Sequence, residues 1–161
     1  MAKRDTARPV QLSVLDRLLD DDPKNSREAP LTRAQSVRML KRSIARDIEW
    51  LLNTHRSIEE VRDSDLLLES SLFNYGLPDI TSFNRRSSQD QKSLLRLLES
   101  AVSTFEPRLE GIRVIRQDGD EDRPRLRFTI EGMLLIEPSP ELVAFDTFVE
   151  VGSGECTVKE D

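Results

Sequence analysis

An α+β fold, with amphipathic helices packed on a small, mainly antiparallel three-stranded sheet, is predicted by the order in which two hydrophobic periods appear along the chain. Up to Phe105 the apolar side chains recur at three- and four-residue steps; beyond Pro107 they recur at every second residue. Helical and extended stretches do not alternate, which argues against a parallel βαβ arrangement. The connections between the extended stretches carry acidic and proline-rich turn chemistry, which suits antiparallel neighbours.

Residues 1–11 mix charge with few apolar groups and read as a flexible N-terminal segment. Leu12, Leu15, Leu18 and Leu19 then share one helical face, and the acids Asp20 to Asp22 followed by Pro23 end that short helix, because acids oppose a helix C-terminus and proline halts continuation. Residues 22–31 read as a polar loop. A longer helix follows, capped by Thr32 and carried by Val37, Leu40, Ile44, Ile48 and Leu51 through Asn53, with Trp50 and Leu52 widening its stripe. The stretch 54–87 is less regular, and only short structure is expected there.

Ser88 and Gln91 stand in capping-box spacing at the start of another helix, which places Leu94, Leu98, Ala101, Val102 and Phe105 on one face. Pro107 stops it. The expected strands then run through Ile112 and Val114, through Leu126, Phe128 and Ile130, and through Val143, Phe145, Thr147 and Val149. The polar segment from Gln117 to Pro124 is suited to an exposed hairpin loop, and Pro138 and Pro140 mark the second connection. Residues 12–154 are thus expected to form one α+β domain, with 155–161 as a C-terminal tail.

The 161 residues carry a net charge of -6, with 37% hydrophobic and 34% charged residues. A chain of this length can bury its own core. The acidic balance opposes general nucleic-acid binding, which depends on lysine and arginine displacing counterions. No apolar run approaches the ~20 residues that cross a bilayer, so no direct membrane insertion is expected. One cysteine, Cys156, cannot form an internal disulfide, and a reducing cytoplasm is the compartment that suits it. Arg33, Arg38, Lys41, Arg42 and Arg46 recur at three- to five-residue steps, most simply as a solvated helix face.

Few residues suggest a site. In Glu106-Pro107-Arg108, proline forces Glu106 out of the helical region and leaves a carboxylate at the helix's negative pole, where a cation from Arg108 or from a partner would relieve it. An ordinary helix stop with two solvated charges is the competing reading. In Asn74-Tyr75-Gly76-Leu77-Pro78-Asp79, Gly76 permits a positive φ and Pro78 holds Leu77 extended, so the chain turns sharply with Phe73, Tyr75 and Leu77 available for burial. Such a turn is either pinned to the protein's own core or part of a ligand site.

Marks of catalysis are sparse. The single histidine, His55, follows the second helix without metal-ligand spacing around it, and neither a glycine-rich phosphate loop nor a Gly-x-Ser-x-Gly elbow occurs. No catalytic residue, metal or cofactor is expected. A glycosidase needs two carboxylates, and Glu106 would be the best acid because Phe105 and Leu109 could desolvate it; yet the adjacent Arg108 would stabilise it as an anion, the opposite of what a proton donor needs.

The words Arg46-Asp47-Ile48-Glu49-Trp50-Leu51-Leu52-Asn53-Thr54, Asn74 to Asp79, and Phe105-Glu106-Pro107-Arg108-Leu109 resemble, in order and spacing, the TssE family of type VI secretion baseplate wedge subunits. Phe145-Asp146-Thr147 resembles its last strand. The likeness spans about Leu12 to Gly154 and implies a wedge-like domain and a scaffold, although related phage proteins are sometimes labelled lysozyme-like. It implies assembly with the baseplate subunits TssF, TssG and TssK beneath a contractile sheath of TssB and TssC, in the bacterial cytoplasm at the inner-membrane-docked baseplate. Glu106, Pro107 and Arg108 would meet TssF and TssG, and the strand around Phe145, Asp146 and Thr147 would offer its edge to the first sheath ring. A peptidoglycan-cleaving enzyme and a transient assembly adaptor are the alternatives. His55, where relatives tend to carry arginine, and the acidic loop 117–124 depart from the family pattern and leave partner contacts specific to this chain open.

Overall fold

The structure is a computed structural model, and it describes residues 10–19, 31–56, 68, 70–80, 84, 87–117, 125–150 and 152–160. The expectations for residues 1–9, for most of the loop after the first helix, for 57–67 and for the hairpin loop 118–124 lie outside the described residues. The chain forms two compact units, Met1–Ile44 and Ala45–Asp161.

The first unit holds helix α1, Val14–Leu18, and the opening turns of helix α2, Arg33–Asn53. Ser13 caps α1 by accepting the Asp16 amide at 3.1 Å, and the Asp16 carboxylate in turn accepts the Ser43 hydroxyl at 2.7 Å. Thr32 and Gln35 close a reciprocal capping box on α2: each side chain accepts the other's backbone amide, at 2.9 and 3.3 Å. Ser36 and Ser43 are buried but bonded, Ser36 by accepting the Val10 amide at 2.9 Å. Of the leucines expected to share one helical face, Leu18 is 76% exposed, and Leu15 and Leu19 are also exposed.

In the second unit, a 3-10 turn at Leu72–Asn74 precedes helix α3, Ser88–Phe105. The cap of α3 is Ser87 rather than Ser88: the Ser87 hydroxyl oxygen accepts the Asp90 amide at 3.2 Å. A four-stranded antiparallel sheet follows in the order β1-β2-β3-β4, with β1 Leu109–Arg116, β2 Arg125–Leu134, β3 Glu141–Glu150 and β4 Cys156–Glu160. The three-stranded expectation is therefore corrected by one strand, which occupies most of the segment read as a tail. Gly111, at φ +65°, sits where the β1–β2 register shifts between Glu110 and Arg113, a backbone state that glycine adopts without a Cβ clash.

Alternation decides which sheet face is covered. Phe128, Ile130 and Leu134 on β2, Val143, Phe145, Thr147 and Val149 on β3, and Cys156 and Val158 on β4 are buried, together with Leu94, Leu98, Ala101 and Val102 of α3 and Ile48, Leu51 and Leu52 of α2. On the other face Arg125, Arg127, Met133 and Leu142 are exposed and Ala144, Asp146, Phe148 and Glu150 are half-buried, while Thr129 is buried there as well. Thr147 lies at an inward position, and its hydroxyl oxygen has no hydrogen-bond partner among the described residues.

Both outer strands are met by side chains from helices. The Glu99 carboxylate of α3 accepts the Val114 amide of β1 at 2.9 Å. At the opposite edge, the Asn53 side-chain amide pairs with both backbone groups of Cys156 at 2.8 Å, and Glu49 accepts the Val158 amide at 2.8 Å. The expectation that the strand around Phe145 offers an edge is overturned, because β3 is hydrogen-bonded on both sides, to β2 and to β4.

A charged corner as the candidate functional site

Pro107 sets the geometry of the corner. Its ring disfavours helix at the residue before it, and Glu106 accordingly adopts φ -117° and ψ 79° as the C-cap of α3, its amide still donating to the Val102 carbonyl at 2.9 Å. The chain then turns directly into β1, with the Leu109 amide donating to the Glu106 carbonyl at 3.2 Å. That turn folds Arg108 back over Glu106. Arg108 Nε donates to Glu106 Oε1 at 2.6 Å, its backbone amide donates to the same oxygen at 3.1 Å, and a terminal guanidinium nitrogen is ion-paired with Glu106 Oε2.

The same guanidinium nitrogen also reaches α2, where it donates to Asp47 Oδ2 at 2.7 Å. The other oxygen of Asp47 accepts two bonds from Arg46, at 2.7 and 3.0 Å, and the Arg46 guanidinium carbon lies 4.9 Å from the centre of the Trp50 ring. A chain of alternating charge thus runs from Glu106 through Arg108, Asp47 and Arg46 to an indole. Glu106 is only 4% exposed, so the fork geometry of arginine supplies what burial would otherwise withhold from its charge.

Burial works against the charge on Arg108, but the hydrogen bonds to Glu106 and Asp47, and then their negative charge, outweigh it and raise the guanidinium pKa above its ordinary value. Tyr75 belongs to the same neighbourhood. Its ring meets Phe105 edge-on with centres 5.2 Å apart, and burial, followed by the charges of Asp47 and Glu106, raises its phenol above the ordinary value.

The turn that delivers Tyr75 is tied to the end of α2: the Leu77 amide donates to the Thr54 carbonyl at 2.8 Å and the Arg56 amide to the Leu77 carbonyl at 2.9 Å. Gly76, at φ +108°, lies against that contact so closely that a Cβ would sit 2.2 Å from the Thr54 carbonyl oxygen. Leu77 is buried as expected, while Phe73 remains exposed. Asn74 accepts a bond from Arg56 at 3.3 Å, Pro78 is half-buried and Asp79 exposed. His55, exposed, forms a bridge with Leu77.

The structure therefore brings the three sequence words together: Arg46, Asp47 and Trp50 from the first, Tyr75 from the second, and Phe105, Glu106 and Arg108 from the third. Pro107 is exposed at the turn. Phe145, Asp146 and Thr147 do not join them. Phe145 and Thr147 are fully buried, and Asp146 is ion-paired with Arg127 at 2.5 Å on the open sheet face. Sequence reasoning missed Asp47 as the second carboxylate on Arg108, a pairing across 61 positions. The available signal was that both residues belong to words already singled out. Among the described residues no cluster of histidine, cysteine or acidic side chains could hold a metal, and no helix is long and apolar enough to cross a membrane.

No curated protein and no solved structure matches the chain. The sequence model of the family described as Baseplate wedge protein gp25 matches residues 38–139, more than half of the 161 residues. All three words of the corner lie inside that span, while β3 and β4 lie beyond it. The chain therefore belongs to the Baseplate wedge protein gp25 family, which is also the family of TssE, the type VI baseplate wedge subunit.

Proposed function

We propose that this chain is a structural subunit of the type VI secretion baseplate, which assembles with TssF, TssG and TssK into the wedge and connects it to the first TssB/TssC sheath ring. Its workplace in this reading is the bacterial cytoplasm, at the baseplate docked on the inner membrane. The observation that carries the proposal is the convergence of three family-matched words on one corner, where Arg108 joins two carboxylates from different helices. A guanidinium engaged with both carboxylates leaves them as ion-pair acceptors, which supports a scaffold over an acid–base catalyst. Because β3 is internal to the sheet, the sheath connection in this reading does not use its edge.

The test is co-purification of tagged wild type and Arg108→Ala chains with TssF, TssG and TssK, with circular dichroism to establish that the variant is folded. Wild type is expected to retain all three partners and the folded variant to lose TssF and TssG. Wild type that retains none of them would refute the proposal.

A further inference from the structure

Two large apolar side chains flank the charged corner and remain exposed. Trp50, one helical turn beyond Arg46 and the only tryptophan in the chain, is 52% exposed. Leu135, whose amide donates to the Arg108 carbonyl at 2.9 Å, is 47% exposed. The indole is held in place: Arg46 stacks on it at 4.9 Å while donating to the same carboxylate that takes Arg108. An aromatic ring fixed before docking loses little conformational freedom when it is covered, and tryptophan and arginine dominate the energetic centres of interfaces.

Within the corner, two carboxylates and two guanidiniums already offset one another. What a partner must supply beside them is apolar cover rather than a counter-charge.

We propose that Trp50 is the anchor of the docking surface built on the Glu106–Arg108 corner, and that it enters an apolar pocket of the TssF–TssG partner, with Arg46 and Asp47 as positioning residues. The inference rests on the function proposed above and adds which side chain is covered and by what kind of surface. The pocket is apolar and carries an acceptor for the indole N–H, and Leu135 is covered at its rim.

The single tryptophan makes the test direct. The full chain is labelled with fluorotryptophan, its one fluorine resonance is followed on addition of purified TssF–TssG, and binding of Trp50→Ala is measured beside it, with circular dichroism as a check on folding. The resonance is expected to lose its sensitivity to exchanging water for deuterium oxide, and Trp50→Ala to bind at least about 30-fold more weakly, the threshold of an interface hot spot. If wild type binds while the resonance keeps its solvent sensitivity, or if folded Trp50→Ala binds as tightly as wild type, the inference is overturned and the proposed function stands. If wild type does not bind TssF–TssG, the proposed function falls and the inference with it.

Discussion

Glu106 closes a helix, where its charge faces the negative end of the helix dipole, and it is buried as well. Both circumstances disfavour a carboxylate, and both are answered by Arg108 two positions later. Removing Arg108 would leave Glu106 buried without its cation and Asp47 with Arg46 alone among the partners described above. Losing one member of a fully buried pair costs ~3–5 kcal/mol; because the Arg108 side chain is 26% exposed, solvent moderates the loss, and about 2–3 kcal/mol is expected for Arg108→Ala. The denaturant midpoint at neutral pH measures it, and a change below about 0.5 kcal/mol would mean the corner contributes little to the fold. Arg108→Lys is expected to recover only part, since an ammonium lacks the fork that serves both carboxylates. Sequence spacing revealed the Glu106–Arg108 pair because proline fixes local geometry. It could not reveal Asp47, whose place opposite Arg108 depends on how α2 and α3 pack.

At the scale of elements, α2 and α3 were legible because each carries an uninterrupted apolar stripe, and β1 to β3 because each alternates over several residues. β4 was not. Its inward residues are only Cys156 and Val158, set between acids, threonine and lysine, and beyond its pairing with β3 it is held by Asn53 and Glu49 on α2, which no local pattern announces. The start of α3, read from the sequence at Ser88, was displaced by one residue, because it is the Ser87 hydroxyl oxygen that accepts a helix amide. Burial of β4 has a consequence for pH. Burial, and then the charges of Glu49 and Glu155, push the Cys156 thiol from 9.0 up to about 12. A raised folded-state pKa means that the neutral thiol stabilises the fold fully below about pH 9, and that this contribution is lost as pH climbs toward about 12, because the unfolded chain ionises first. Tyr75, raised from 10.0, acts in the same direction. Denaturant midpoints of wild type are therefore expected to fall between about pH 8 and about pH 11, and those of Cys156→Ala to fall less over the same interval. Equal pH dependence in the two proteins would show that the thiol is not buried as described.

At the scale of the whole molecule, the protein has to expose a recognition surface without exposing strand edges that pair indiscriminately. β1 and β4 are the outer strands, and each has an amide taken by a helix carboxylate, Glu99 on one side and Glu49 on the other, with Asn53 adding a side chain that mimics a neighbouring strand at Cys156. These contacts give a physical reason for the outer strands not to pair with those of another copy. Replacing Glu99 and Asn53 together by alanine frees the Val114 amide and both backbone groups of Cys156 while leaving the apolar core untouched. The double variant is expected to associate with rising concentration at neutral pH, as read by light scattering on a sizing column, under conditions where wild type does not change. Because Glu106, Arg108, Asp47 and Trp50 are left in place, the binding to TssF–TssG that the proposed function calls for, measured at a concentration low enough to keep the variant dispersed, is expected to match wild type. Association that is identical in the two proteins would mean the edges are not where this chain guards against self-pairing, and the exposed side chains of the open sheet face, Met133 and Leu142 opposite each other on β2 and β3, would become the surface to alter next.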